Sequence, residues 1–81
     1  MGSREALHDK EYRRFVAQLR KAREESGLSQ QAVADAMGRS QRFVSRCETG
    51  ERRVDVIEFR DFCRVYKLPA SYFVGRWPAE Q

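Results

Sequence analysis

Two serines and a glycine set the tightest constraint on how this chain folds. Ser29 and Ser40 each stand ahead of a helix-compatible segment, and Gly38 lies between them with only Arg39 separating it from the second serine. A serine at the mouth of a helix accepts a hydrogen bond from a free amide of the first turn. A glycine just past a helix takes the left-handed conformation that ends it. Two short helices, about 30–37 and 41–49, must therefore meet through a very tight turn. Leu28 and Val33 suit a hydrophobic staple across the start of the first of them.

The apolar positions agree with that turn. Counting from Gln30, Ala34 is fifth, Gly38 ninth and Val44 fifteenth, with Val33, Met37 and Cys47 as apolar support. Ala34 is small enough for two helices to cross closely, Gly38 makes the bend, and Val44 plugs the second helix onto the first. Taken together at this spacing, these residues define a helix-turn-helix.

The flanking segments read as three more helices. From Asp9 to Ser26, the residues Tyr12, Phe15, Val16, Leu19 and Ala22 fall within about 120° of one helical face. Gly27 closes that helix. Gly50 ends the helix 41–49, and a charged loop of Glu51, Arg52 and Arg53 follows. Asp55 with Glu58 forms a capping box, with Val54 and Phe59 as its staple, so a fourth helix runs from Val56 to about Lys67. Its core stripe is expected to be Val56, Phe59, Cys63 and Tyr66, supported by Phe62. Pro69 opens a short fifth helix, Ala70 to Val74, before Gly75 and Pro78. The expectation is an all-α domain over residues 9–75, with a flexible arm at 1–8 and a tail at 76–81 that takes part in a dimer contact.

A chain of 81 residues is one small domain with a single core. Charged residues make up 35% of it, against roughly 25% in an ordinary globular domain. No apolar run approaches the roughly 18 residues of a membrane span, and no apolar stretch follows Met1-Gly2-Ser3-Arg4 as a secretory signal requires. A cytoplasmic protein without a membrane partner is expected. Between Arg39 and Arg53, five arginines against two glutamates hold three of the four surplus positive charges. An anionic partner is therefore expected at that segment. Cys47 and Cys63 lack metal or redox spacing and read as two buried thiols acting as small hydrophobes. One histidine and no nucleophile–base pair at a telling spacing argue against an enzyme, a metal site or a cofactor.

The stretch Leu28-Ser29-Gln30-Gln31-Ala32-Val33-Ala34 through Phe43-Val44-Ser45-Arg46-Cys47-Glu48-Thr49-Gly50-Glu51-Arg52-Arg53 resembles the Cro/C1-type (XRE) family of DNA-binding repressors. The likeness extends over roughly residues 9 to 74. It implies a compact five-helix, lambda-repressor-like DNA-binding domain whose third helix enters the major groove, and operator binding as a homodimer. Two positions depart from the family pattern. Arg39 stands where the turn often carries a less charged residue, and Cys47 where a larger aliphatic or aromatic residue is usual.

Periodicity sorts the third helix without help from the resemblance. With Gln41 at 0°, Val44 and Cys47 lie near 300° and 240°, while Ser45, Arg42 and Arg46 lie near 40°, 100° and 140°, at about 100° per residue. The outward face is rich in donors. Arginine grips guanine O6 and N7 bidentately and glutamine pairs with adenine N6 and N7, so Gln41, Arg42, Ser45 and Arg46 are the candidate base contacts. Phe43, near 200°, either packs on the domain edge or lays its ring against a thymine methyl or a sugar. Gln30 resembles the family's phosphate-contacting glutamine, at a helix start that offers free amides. Arg39, Ser40, Arg52 and Arg53 complete the candidate backbone contacts, and one of the two loop arginines is a solubilising charge in the plainer reading.

Arg23 falls within the apolar stripe of the first helix, where an unpaired charge is costly. Glu48, which resembles the family's buried partner, is its expected ion pair. Tyr72, Val74 and Trp77 are more apolar surface than one small core buries, and a symmetric dimer contact is expected there, with Trp77 folding back on its own domain as the alternative. The function expected is a sequence-specific, repressor-like transcriptional regulator that binds a palindromic double-stranded operator as a homodimer. The competing reading is an antitoxin-like interaction module that neutralises a partner protein.

Overall fold

The structure, a computed structural model, describes the backbone of residues 3–75 and the side chains from Lys10 onward within that span. Five helices follow one another: α1 (Ser3–Ser26), α2 (Gln30–Met37), α3 (Gln41–Thr49), α4 (Val56–Tyr66) and α5 (Ala70–Val74). No strand occurs among the described residues. α2 and α3 pack closely on one another, α1 runs against α3, α4 and α5, and α4 also meets α2.

Local chemistry sets most of the boundaries. The Ser29 Oγ accepts from the Ala32 amide at 3.0 Å and the Ser40 Oγ from the Phe43 amide at 3.1 Å. Gly38 turns left-handed at φ 68°, and the amides of Gly38 and Arg39 donate to the carbonyls of Asp35 and Ala34. That double closure ends α2 within two residues of the next cap. Asp55 and Glu58 form the reciprocal capping box at the start of α4. Lys67 ends α4 in the left-handed region, at φ 57°.

The core is built from Phe15, Leu19 and Ala22 of α1, Val33 and Ala34 of α2, Phe43, Val44 and Cys47 of α3, Phe62 and Tyr66 of α4, and Phe73 of α5. Phe15, Phe59 and Phe73 meet edge to face, with ring centres 5.4 to 6.4 Å apart. The loop between α3 and α4 is tied to α1 by the Val54 amide, which donates to the Tyr12 hydroxyl at 2.9 Å.

Two expectations are corrected. α1 begins at Ser3, where an arm through His8 was expected. Residues 3–8 contain neither glycine nor proline and include Ala6, Leu7 and Glu5, so a helix already anchored by the core propagates back through them. The buried face of α4 is centred on Phe62, which is fully buried, while Val56 is 74% exposed. Val56 lies about 120° around the helix from Phe62. Turning the helix this way brings Glu58 inward, where two arginines meet it.

Candidate nucleic-acid interface

α3 is held by one face and presents the other. Val44 and Cys47 are fully buried and Phe43 is nearly so, while Gln41, Arg42 and Arg46 are exposed and Ser45 is half-buried beside them. The four candidate base contacts therefore share the outward face expected of them. Arg42 makes no ion pair or hydrogen bond among the described residues. The Arg46 Nε lies 3.4 Å from the Glu51 carboxylate, an exposed pair of the kind that contributes little and exchanges readily.

A continuous hydrogen-bonded chain runs from α1 to the tip of α3. The Arg23 Nε and NH2 donate to the two oxygens of Glu48 at 2.7 and 3.1 Å, and NH1 donates to the Leu28 carbonyl at 3.1 Å. The Gln30 Nε2 donates to the Glu48 Oε1 at 3.0 Å. The Gln41 Nε2 donates in turn to the Gln30 Oε1 at 2.6 Å. The expected Arg23–Glu48 pair is thus present, and its reach is longer than expected. Gln30, expected as a phosphate contact, is engaged at both ends of its amide with α3, linking Gln41 to Glu48.

A second cluster closes the opposite side of α3. Glu58 is 6% exposed and receives the Arg52 NH1 at 2.7 Å, the Asp55 amide at 3.0 Å and the Arg39 NH1 at 3.2 Å. Burial pushes its carboxyl up, but hydrogen bonds from Arg52, the Asp55 backbone and Arg39 outweigh that and hold it below the ordinary carboxylate range. The Arg39 and Arg52 guanidinium carbons lie 3.8 and 4.9 Å from the centre of the Phe43 ring. The capping box was legible in the sequence. The convergence of two arginines on its glutamate was not, because one comes from 19 residues upstream.

Of the two readings of Phe43, packing is the one observed: at 6% exposure its ring stacks on Phe62 with centres 6.1 Å apart and lies beneath Arg39 and Arg52. Arg53 is exposed, with its guanidinium carbon 4.3 Å from the centre of the Tyr12 ring. Ser40 is exposed at the cap of α3.

Of the expected dimer residues, Tyr72 and Val74 line one groove. Tyr72 is bound into its own domain: its carbonyl accepts from Gln18, its hydroxyl donates to Glu25 at 3.3 Å, and its ring meets Phe73 edge on. Val74 is 42% exposed, and Val56 lines the same groove, with Phe59 and Phe73 at its base. Ile57, next along α4, is 53% exposed. The exposed apolar patch thus includes Val56, which the sequence pattern assigned to the core. Trp77 and the tail 76–81 lie outside the described residues.

Cys47 is buried, Cys63 is half-buried, and both are free thiols. No group of three or more His, Cys, Asp or Glu among the described residues is placed to hold a metal ion. No described helix is long and apolar enough to cross a membrane. What the face of α3 offers a ligand is a row of hydrogen-bond donors and positive charge.

The fold is shared with known proteins. The helix-turn-helix domain family model matches residues 14–71. A solved structure described as an XRE-family like protein from Pseudomonas syringae pv. tomato str. DC3000 is similar over 100% of this chain and 99% of its own, with a TM-score of 0.87 and 34% sequence identity. No curated protein sequence matches the chain.

Proposed function

The chain belongs to the XRE-type helix-turn-helix proteins, and from that premise we propose that it is a repressor-like transcriptional regulator which reads a palindromic operator as a homodimer. One observation carries the reading. α3 is locked to the core through Val44 and Cys47 while Gln41, Arg42 and Arg46 are exposed on its outer face. Such a helix lies in the major groove with its polar side chains against base edges. Arg42 and Arg46 are assigned guanine, Gln41 adenine, and Ser45 a close hydrogen bond. Gln30, Arg39, Ser40, Arg52 and Arg53 are assigned the flanking phosphates, with Gln30 reaching a phosphate while it still orients Gln41.

Dimerisation is assigned to the patch of Val56, Ile57 and Val74, joined by Trp77. Glu11 and Asp55 beside Arg14 and Arg53 give the groove a rim of both signs, which suits an interface that meets a copy of itself. A two-fold dimer then spans half-sites about one helical turn apart. Two free thiols are consistent with a reducing cytoplasm.

Selection of bound duplexes from a random pool, followed by titration at several salt concentrations, tests the reading. A palindromic winner is expected, with Arg42→Ala and Arg46→Ala each relaxing one base position by roughly 1–3 kcal/mol. No enrichment, with only weak and steeply salt-dependent binding, would refute sequence recognition. Sedimentation of wild type, Val56→Asp, Val74→Asp and Trp77→Ala at matched micromolar concentration tests the dimer. A wild-type monomer would turn attention to the same patch as the docking site for a toxin-like partner.

A further inference from the structure

We propose that Glu58 is a positioning residue of the DNA interface, holding Arg39 and Arg52 from inside the domain as a preformed pair of phosphate grips. The inference rests on the DNA-binding reading above and adds to it a residue that touches no nucleic acid.

Arg39 belongs to the turn before α3 and Arg52 to the loop after it, yet both guanidinium groups reach one carboxylate and one ring. Two like charges held so close repel each other, and water alone would let them splay apart. Glu58 prevents this by giving each arginine its own oxygen, Oε2 to Arg39 and Oε1 to Arg52. The carboxylate is itself fixed by its place in the first turn of α4 and by the Asp55 amide. The Phe43 ring fills the space beneath both cations.

A buried carboxylate needs one arginine to neutralise it, so the second leaves the cluster with a net positive charge. More than a third of each arginine side chain is exposed, 38% for Arg39 and 37% for Arg52. Toward Glu58 each arginine uses NH1, and a guanidinium carries five N–H donors. Donors remain for a phosphate on either flank of the recognition helix. A rotamer held in advance costs less to order on binding, which is what a buried acid beneath two surface arginines accomplishes.

The sign of one substitution separates this from a purely structural role. Glu58→Gln keeps a capping-box residue at its position and removes a negative charge near the DNA. Simple electrostatics then calls for tighter binding. The positioning role calls for binding about three- to tenfold weaker, the loss expected when an arginine rotamer is no longer held. It also calls for a shallower dependence of log K on log salt.

The experiment is a titration of the selected duplex with wild type, Glu58→Gln, Arg39→Gln and Arg52→Gln at four salt concentrations, with a melting temperature for each variant. Each arginine variant is expected to reduce the salt slope by about one. A merely structural cluster would lower the melting temperature and leave the slope unchanged. Tighter binding by Glu58→Gln, or wild-type slopes in both arginine variants, overturns the proposal while operator binding stands. If Glu58→Gln does not fold, the slopes of the two arginine variants decide alone. A wild type that selects no duplex would instead bring down the DNA-binding reading and this inference with it.

Discussion

Arg23 holds Glu48 by two hydrogen bonds of 2.7 and 3.1 Å and so joins the last turn of α1 to α3. The side chains are 15% and 3% exposed. Removing one partner of such a pair leaves the other charge poorly solvated, at a cost of about 3–5 kcal/mol when burial is complete. Arg23 keeps some contact with solvent, so Glu48→Ala is expected to lose about 3 kcal/mol. In a domain of this size that lowers the melting temperature by more than about 10 °C, measurable by circular dichroism. An unchanged melting temperature would show that the pair does not brace the recognition helix.

Glu58 predicts a pH dependence. Its carboxyl is held below the ordinary range, burial being outweighed by its three hydrogen-bond donors. A depressed acid contributes stability that is fully present above its unfolded pKa of about 4.3 and is lost as pH falls through the folded value. The stability gap between wild type and Glu58→Gln should therefore be constant near neutrality and close below about pH 4. Urea unfolding at pH 7 and pH 3 checks this, and a gap of the same size at both would contradict it.

Tyr66 carries a buried hydroxyl with no hydrogen-bond partner among the described residues. Burial pushes this phenol well above its ordinary pKa, and the negative charge of Glu48 adds to the effect. Its ring stacks on Phe62 with centres 6.2 Å apart, a contact that phenylalanine reproduces. An unsatisfied buried polar group costs about 1–3 kcal/mol, so Tyr66→Phe is expected to be neutral or stabilising by about 1 kcal/mol. Destabilisation by that amount in urea would show that the hydroxyl is doing work in the fold.

The thiols should react at different rates. Burial pushes Cys47 up to about 11, against a smaller opposing effect of Arg52, and pushes Cys63 up as well. Cys47 is fully buried and Cys63 half-buried. Since the thiolate is the nucleophile, a disulfide reagent at pH 8 should label Cys63 first and Cys47 only on unfolding. Equal fast labelling of both in the native protein would rule out the buried position of Cys47.

The sequence by itself determined the elements and the fold. Ser29, Gly38, Ser40 and the Asp55–Glu58 box act over three or four residues, so their hydrogen bonds are decided before any long-range contact forms. Periodicity likewise separated the buried Val44 and Cys47 from the exposed Arg42 and Arg46, because one turn of helix fixes which residues share a face. The Arg23–Glu48 pair was legible because a charge within an apolar stripe requires a partner and Glu48 resembles the family's buried one.

Tertiary structure decided what local rules leave open. Phe43 sat between two faces, and only the approach of Phe62, Arg39 and Arg52 settled it as packing. Val56 and Phe62 each fitted a core stripe on α4, and the choice fell with the rotation that turns Glu58 inward and leaves Val56 in solvent. Tyr72 is tied to α1 through Gln18 and Glu25, which take its carbonyl and hydroxyl. In each case the deciding partner comes from another helix or loop. Its distance depends on how loops close and helices rotate in the packed domain, and spacing along one segment carries no record of that.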